Sequence, residues 1–158
     1  MAETPERQVR EIAVSEIMSR SVLAVDSPVA ASEAAKMMED AGVSALVVTE
    51  NNLPAGIITE RDFAVKVAAH AYPLDTPVRR IMSSPLVVVG RDESVWVAAD
   101  LMVDRGVHKL PVVDNDQIVG IVTKTDLVRQ ISTCGEEQVR RKYIESVGSI
   151  YRQNTPYL

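Results

Sequence analysis

The chain has 158 residues, 46% of them apolar, and a formal net charge of −5, enough to bury a sizeable core as one domain or as two small, intimately packed ones. The acidic balance argues against a general binder of nucleic acid or anionic membranes; no apolar run approaches the roughly 20 residues a membrane helix requires, and Met1–Arg10 is too polar for a signal peptide, so a cytoplasmic protein is expected. With Cys134 the single cysteine and His70 and His108 the two histidines, no intrachain disulfide can form and no metal-ligand or Cys/His catalytic spacing exists.

Residues 1–13 are polar and of mixed charge, and read as an N-terminal arm. From Val14 a pattern begins that returns at Val78, an offset of 64 residues. Ile17-Met18-Ser19 matches Ile81-Met82-Ser83, Ala34-Ala35 matches Ala98-Ala99, Met38 matches Met102, Gly42-Val43 matches Gly106-Val107, and Gly56-Ile57 matches Gly120-Ile121. This gapless duplication predicts two similar supersecondary units packed with pseudo-twofold symmetry.

Each repeat opens with a short strand, Val22 to Val25 and Leu86 to Val89. In the first, Ser27 is expected as the N-cap of a helix with Pro28 at N1, where a missing N–H costs nothing. Ala34, Met37, Met38 and Ala41 form one apolar stripe and Val95, Ala98, Leu101 and Met102 the other, which makes the methionines core. Gly42 and Gly106 stand where a left-handed residue ends a helix. A strand pair follows in each repeat: Leu46 to Thr49 and Gly56 to Thr59 around Glu50-Asn51-Asn52, then Leu110 to Val113 and Ile118 to Thr123 around Asp114-Asn115-Asp116. Closing helices are expected from Glu60 to about Ala71 and from Lys124 to about Thr133.

Tyr72-Pro73-Leu74-Asp75-Thr76-Pro77 reads as the linker. Past Gly135, Val139, Tyr143, Val147 and Ile150 predict an amphipathic terminal helix with Arg140-Arg141-Lys142 on its solvated face. The organisation is therefore an arm (1–13), a first repeat (14–71), a linker (72–77), a second repeat (78–134) and a terminal helix and tail (135–158). The fold class is α+β, each repeat ordered strand, helix, strand, strand, helix.

Two copies are sharpest: Gly56-Ile57-Ile58-Thr59-Glu60-Arg61-Asp62 and Gly120-Ile121-Val122-Thr123-Lys124-Thr125-Asp126. Each reads as a strand-to-helix turn, whose free N–H groups attract an anion and whose Asp can accept hydrogen bonds from sugar hydroxyls. Thr at the N-cap and Asp at N3 also make a near capping box that satisfies orphan donors by itself. Capping does not require the glycine, so its repetition suggests a site, although a duplication would copy a structural turn as well. The residues alone leave both readings open.

The ordered set in duplicate resembles a tandem pair of CBS domains, the regulatory unit called a Bateman module. The resemblance covers about residues 12–134 and rests on the two Ile-Met-Ser starts, the Gly-Val pairs, Leu110-Pro111-Val112-Val113-Asp114 and both Gly-x-x-Thr-x-x-Asp turns. It implies two three-stranded sheets flanked by helices, with two clefts that hold adenosine derivatives: AMP, ADP, ATP or S-adenosylmethionine. By resemblance, Asp62 and Asp126 would take ribose hydroxyls, and Thr59 and Thr123 would approach phosphate. The Asp62 cleft would add Val43, Ser44, Ala45 and Ile57, with Pro85, Leu86 and Val87 from the second repeat. The Asp126 cleft would add Val107, His108, Lys109 and Ile121, with Ser21, Val22 and Leu23 from the first. The first repeat departs from the family pattern at Ala45-Leu46-Val47-Val48-Thr49-Glu50, where Leu-Pro-Val-Val-Asp is favoured.

The resulting expectation is a stand-alone regulatory module that senses adenosine nucleotides by conformational shift, with no catalytic residues, catalytic cofactor or metal site. No nucleophile-base pair, paired carboxylates or Walker-type loop lies near the turns. The alternative is a scaffold or interaction protein with non-functional clefts. The partners expected are an adenine nucleotide, a second copy in a homodimer, and a regulated protein that the residues do not name. Family geometry would aim phosphates of the Asp62 cleft at His108 and Lys109, so polyphosphates are expected there first.

Overall fold

The computed structural model describes residues 12–133. The arm up to its last two residues, Cys134 and the expected terminal helix lie outside the described residues. The chain divides into two compact units, one made of the continuous stretch Ser21–Val87 and the other of residues 12–20 together with 88–133. The first holds β1 (Ala24–Asp26), α1 (Ala31–Ala41), β2 (Ala45–Glu50), β3 (Leu53–Thr59) and a closing helix that starts as α2 (Glu60–Asp62) and continues as a π-helix over Phe63–Ala69. The second holds β4 (Val89–Gly90), α3 (Val95–Arg105), β5 (Lys109–Asp114), β6 (Gln117–Thr123) and α4 (Lys124–Thr133). This is the expected α+β order, twice.

Each sheet has three strands, the middle one parallel to the strand before it and antiparallel to the strand after it. The hairpins close through Asn51-Asn52, with φ of 52° and 62°, and Asn115-Asp116, with φ of 47° and 62°. Two successive positive φ values give the turn whose twist matches that of the paired strands, and Asn and Asp tolerate them. Gly42 and Gly106 end α1 and α3 at φ of 64° and 62°, as their position predicts.

The strand alternation and the helix stripes meet in the cores. Val25, Ala34, Met38, Leu46, Val48, Ile58, Val78 and Ile81 are buried together in the first unit. Val14, Val95, Ala98, Met102, Leu110, Val112, Val122 and Leu127 are buried in the second. Val14 and Val78 are equivalent by the repeat, yet each belongs to the unit that the other repeat's sheet builds. Val78 N–H bonds to Val29 O (2.8 Å) and Arg79 N–H to Ser27 O (3.1 Å). Val14 N–H bonds to Glu93 O (2.8 Å) and Val95 N–H to Ile12 O (2.9 Å). A sequence repeat and a packed unit are thus different stretches of chain.

Three local expectations are corrected. α1 begins at Ala31, with Ala30 rather than Ser27 at the N-cap and no side-chain cap. Its free N–H groups go instead to the linker backbone, Ala31 to Thr76 O (2.8 Å) and Ser32 to Leu74 O (3.0 Å), which removes the need for a capping hydroxyl. Ser27 is buried and donates to Glu50 Oε1 (3.3 Å). The opening strands start later than predicted and differ in length, because Val47 N–H bonds to Leu23 O (2.9 Å) while its counterpart Pro111 has no N–H to offer β4. Finally, the closing helix of the first repeat is a π-helix beyond Asp62, with His70 N–H reaching Val65 O at 3.2 Å; a seven-residue stretch, apolar but for Lys66, is too short for its pattern to distinguish that period from an α-helix.

Candidate functional site: two Thr-x-x-Asp turns

Both turns have the predicted form, a strand ending at Thr and a helix beginning at the next residue. In the second repeat the box is complete. Thr123 N–H and Thr123 Oγ1 both donate to Asp126 Oδ2 at 2.8 Å, and Asp126 N–H donates back to Thr123 Oγ1 at 3.2 Å. In the first, which is a capping box as well, Thr59 N–H donates to Asp62 Oδ2 at 2.8 Å and the Thr59 hydroxyl donates to the same oxygen at 3.1 Å. One carboxylate oxygen of each Asp therefore serves the backbone, as capping demands. The other oxygen, Oδ1, is where the two turns part.

Asp62 Oδ1 accepts from Lys66 Nζ at 3.1 Å and from Ser83 Oγ at 3.4 Å. Lys66 Nζ also donates to the Ile81 and Met82 carbonyls, so the ammonium ties the closing helix, the Asp and the chain past the linker together. Asp126 Oδ1 has Arg129 Nη1 at 3.7 Å, and that guanidinium is on a side chain 73% exposed. The Lys66 side chain is 30% exposed and Asp62 itself is buried. Lys66 and Ser83 are contacts of Asp62 that motif matching passed over; Lys66 stands at i+4 from Asp62, a common spacing that by itself marks no site.

The repeated glycine has a packing cause. A Cβ on Gly56 would sit 2.7 Å from Ser83 O and 2.8 Å from Met82 Sδ, and one on Gly120 would sit 2.8 Å from Ser19 O. The Ile-Met-Ser segment of the other repeat lies directly across each glycine, bridged as Ile57 to Ser83 and Ser19 to Ile121. The two motifs that mark the repeats are two sides of one backbone contact.

The remaining candidates divide between the units. In the first, Val43 and Ser44 follow α1 and line a groove of about 610 Å³ with Glu39, Glu60 and Phe63. Ala45 opens β2 and is the register partner of Thr59, and Ile57 lies on β3. Ser21, Val22 and Leu23 lead into β1, and Pro85, Leu86 and Val87 end the same unit. In the second, Val107 and His108 precede β5, Lys109 is the register partner of Thr123, and Ile121 is buried on β6. Lys124 N–H bonds to His108 O at 2.9 Å. Burial pulls the Lys124 ammonium below its ordinary pKa, and the positive charge of Lys109 adds to the effect. Thr123 thus stands among cations, whereas the matching positions around Thr59 are Ser44, Ala45 and Glu60.

Among the described residues no group of His, Cys, Asp and Glu could hold a metal ion, and no helix is long and apolar enough to cross a membrane. A family profile described as "CBS domain" matches residues 14–69 and 78–133. An uncharacterized protein of Methanopyrus kandleri is 39% identical over 124 residues, 77% of this chain and 63% of its own length. The CBS domain-containing protein YhcV of Bacillus subtilis is 35% identical over 120 residues, 75% of this chain and 86% of its own. Among solved structures, the CBS domain pair of protein MJ0100 in complex with 5′-methylthioadenosine and S-adenosyl-L-methionine superposes with a TM-score of 0.71 at 28% identity, covering 78% of this chain and 98% of that one. Duplicate profile matches, the strand order and the paired turns lead to one assignment: the chain belongs to the CBS-domain family, as a tandem pair.

Proposed function

We propose that this CBS pair is a regulatory module that binds an adenosine compound at its Thr-x-x-Asp turns and carries no catalytic activity. The observation that carries the reading is the split use of each Asp. Oδ2 caps its own helix, and Oδ1 stands beside the helix start as a second acceptor, met by Lys66 and Ser83 at Asp62 and by Arg129 at 3.7 Å at Asp126; an acceptor so placed can receive a ribose diol beside an anionic group. The adenosine compounds in the similar domain pair point to the same ligand class. AMP, ADP, ATP and S-adenosylmethionine are the candidates, with Thr59, Asp62, Thr123 and Asp126 as the polar contacts. Signalling follows if the ligand binds one arrangement of the chain better than another, since differential affinity is all that can shift a population.

Thermal denaturation against a panel of AMP, ADP, ATP, S-adenosylmethionine and 5′-methylthioadenosine tests it. A ligand at a hundredfold excess over Kd stabilises by about 2.7 kcal/mol, and no shift with any compound leaves the interaction-protein reading in its place. Unchanged ligand after prolonged incubation is the expected outcome for a non-catalytic module. Self-association as a homodimer belongs to the same proposal, and a light-scattering mass of one chain at micromolar concentration removes it.

A further inference from the structure

We infer that Lys66 makes the two turns unequal: it occupies the acceptor of Asp62 and turns that carboxylate into a structural clamp, leaving the Asp126 turn as the site that takes the adenosine compound. The inference rests on the functional reading above and specifies where in the chain it operates.

Four donors fill Asp62: Thr59 N–H, Thr59 Oγ1, Lys66 Nζ and Ser83 Oγ, at 2.8, 3.1, 3.1 and 3.4 Å. A carboxylate has about four lone-pair directions, so a diol could bind there only by displacing Lys66 or Ser83. Displacing Lys66 would strip the ammonium of its carboxylate partner, beside the Ile81 and Met82 carbonyls that it also bonds, and a charge removed from its partner in a part-buried setting is costly. Asp126 accepts from Thr123 N–H and Thr123 Oγ1, both on Oδ2, and its Oδ1 faces a guanidinium 3.7 Å away on a mostly exposed side chain. The position equivalent to Lys66 is Gln130, which carries no charge to offer.

Charge around the two threonines points the same way. Lys109 is the register partner of Thr123 and Lys124 follows it, while Ala45 is the register partner of Thr59 and Glu60 and Arg61 follow it. Thr123 has two lysines as neighbours in register and sequence, whereas of the cations near Thr59, Arg61 is followed by the acidic Asp62 and Lys66 is already paired with that carboxylate, so an anionic group is favoured at Thr123. The order is the reverse of the sequence-based expectation that polyphosphates enter at Asp62 first.

Calorimetric titration of the full chain with ATP, S-adenosylmethionine and 5′-methylthioadenosine decides the matter. The expected result is one equivalent per chain for whichever compounds bind, lost by at least about tenfold in affinity in Asp126→Asn. Lys66→Gln, which copies the second repeat, is expected to add a second equivalent, and Lys66→Arg, which keeps the cation, to stay at one. Should Lys66→Gln fail to fold, the wild-type stoichiometry and Asp126→Asn still decide. Two equal sites in the wild type, or full affinity in Asp126→Asn, overturn the inference and leave the functional reading intact. Absence of binding by all three compounds overturns the reading and the inference together.

Discussion

The Asp62 and Asp126 turns share a glycine, a threonine, a capping carboxylate and the same register between strands, yet they hold different company. Around Asp62 the chain has placed Lys66, Ser83 and a π-helix; around Asp126 it has placed Lys109, Lys124, an α-helix and Arg129 at 3.7 Å. Duplication supplied one backbone solution twice. What the backbone does not require, the second carboxylate oxygen and the charges beside it, is where the copies have diverged. A motif shared by two repeats therefore reports the fold they have in common, and the residues outside the motif report what each copy can do.

The largest expected effect falls where the copies agree. Gly56→Ala and Gly120→Ala each drive a methyl group against the backbone of the facing Ile-Met-Ser segment, and each is expected to cost about 2–3 kcal/mol. Chemical denaturation of the two variants measures it, and a cost in one copy alone would break the equivalence of the two contacts. Next come the carboxylates. Asp62→Ala removes four hydrogen bonds and strands Lys66, for a loss of about 2 kcal/mol, while Asp126→Ala removes a capping interaction worth about 1 kcal/mol. Equal midpoint shifts for the pair would count against a structural clamp in the first repeat.

A smaller difference lies at the helix starts. Ser94 caps α3 by accepting from Val97 N–H at 3.4 Å, whereas its counterpart Ala30 begins a helix whose donors the linker backbone already satisfies. Ser94→Ala should lower stability by about 0.5–1 kcal/mol, and Ala30→Ser should gain almost nothing. The least effect is a pH dependence confined to the second repeat. Lys124 lies below its ordinary value of 10.5 through burial and Lys109, so an anion bound there raises its pKa and takes up a proton. Affinity for a phosphate-bearing ligand should be full below the lowered pKa of the free protein and decline as pH rises through the pKa of the complex. A titration series with Lys124→Met removes that slope if the cation is responsible.

Much of this architecture was legible in the residues. The offset of 64 located both repeats, Gly42 and Gly106 announced their positive φ values because few other residues tolerate them, and Glu50-Asn51-Asn52 marked the hairpin turn. The N-cap of α1 was not legible, because its partners are carbonyls contributed by the linker, more than forty residues on in sequence. The glycine of the motif was read as a sign of a site, and its nearer cause is the Met-Ser backbone lying over it. Lys66 was hidden for another reason: a lysine at i+4 from an aspartate is ordinary on any exposed helix face, and it becomes informative once two backbone carbonyls are seen to hold the same ammonium.

The exchange of opening segments has a consequence for how the molecule is made. The unit Ser21–Val87 is one continuous piece of chain and can complete its core as soon as Val78 and Ile81 have been synthesised. The other unit cannot. Its Val14 is made early, but the strands and helices of its unit arrive only with residues 88–133, so Val14 waits for Glu93 and the sheet beyond it. Contacts of such sequence separation are of the kind that form slowly in folding. Cutting the gene at the linker would leave Val14 on one fragment and Glu93, whose carbonyl accepts from its N–H, on the other.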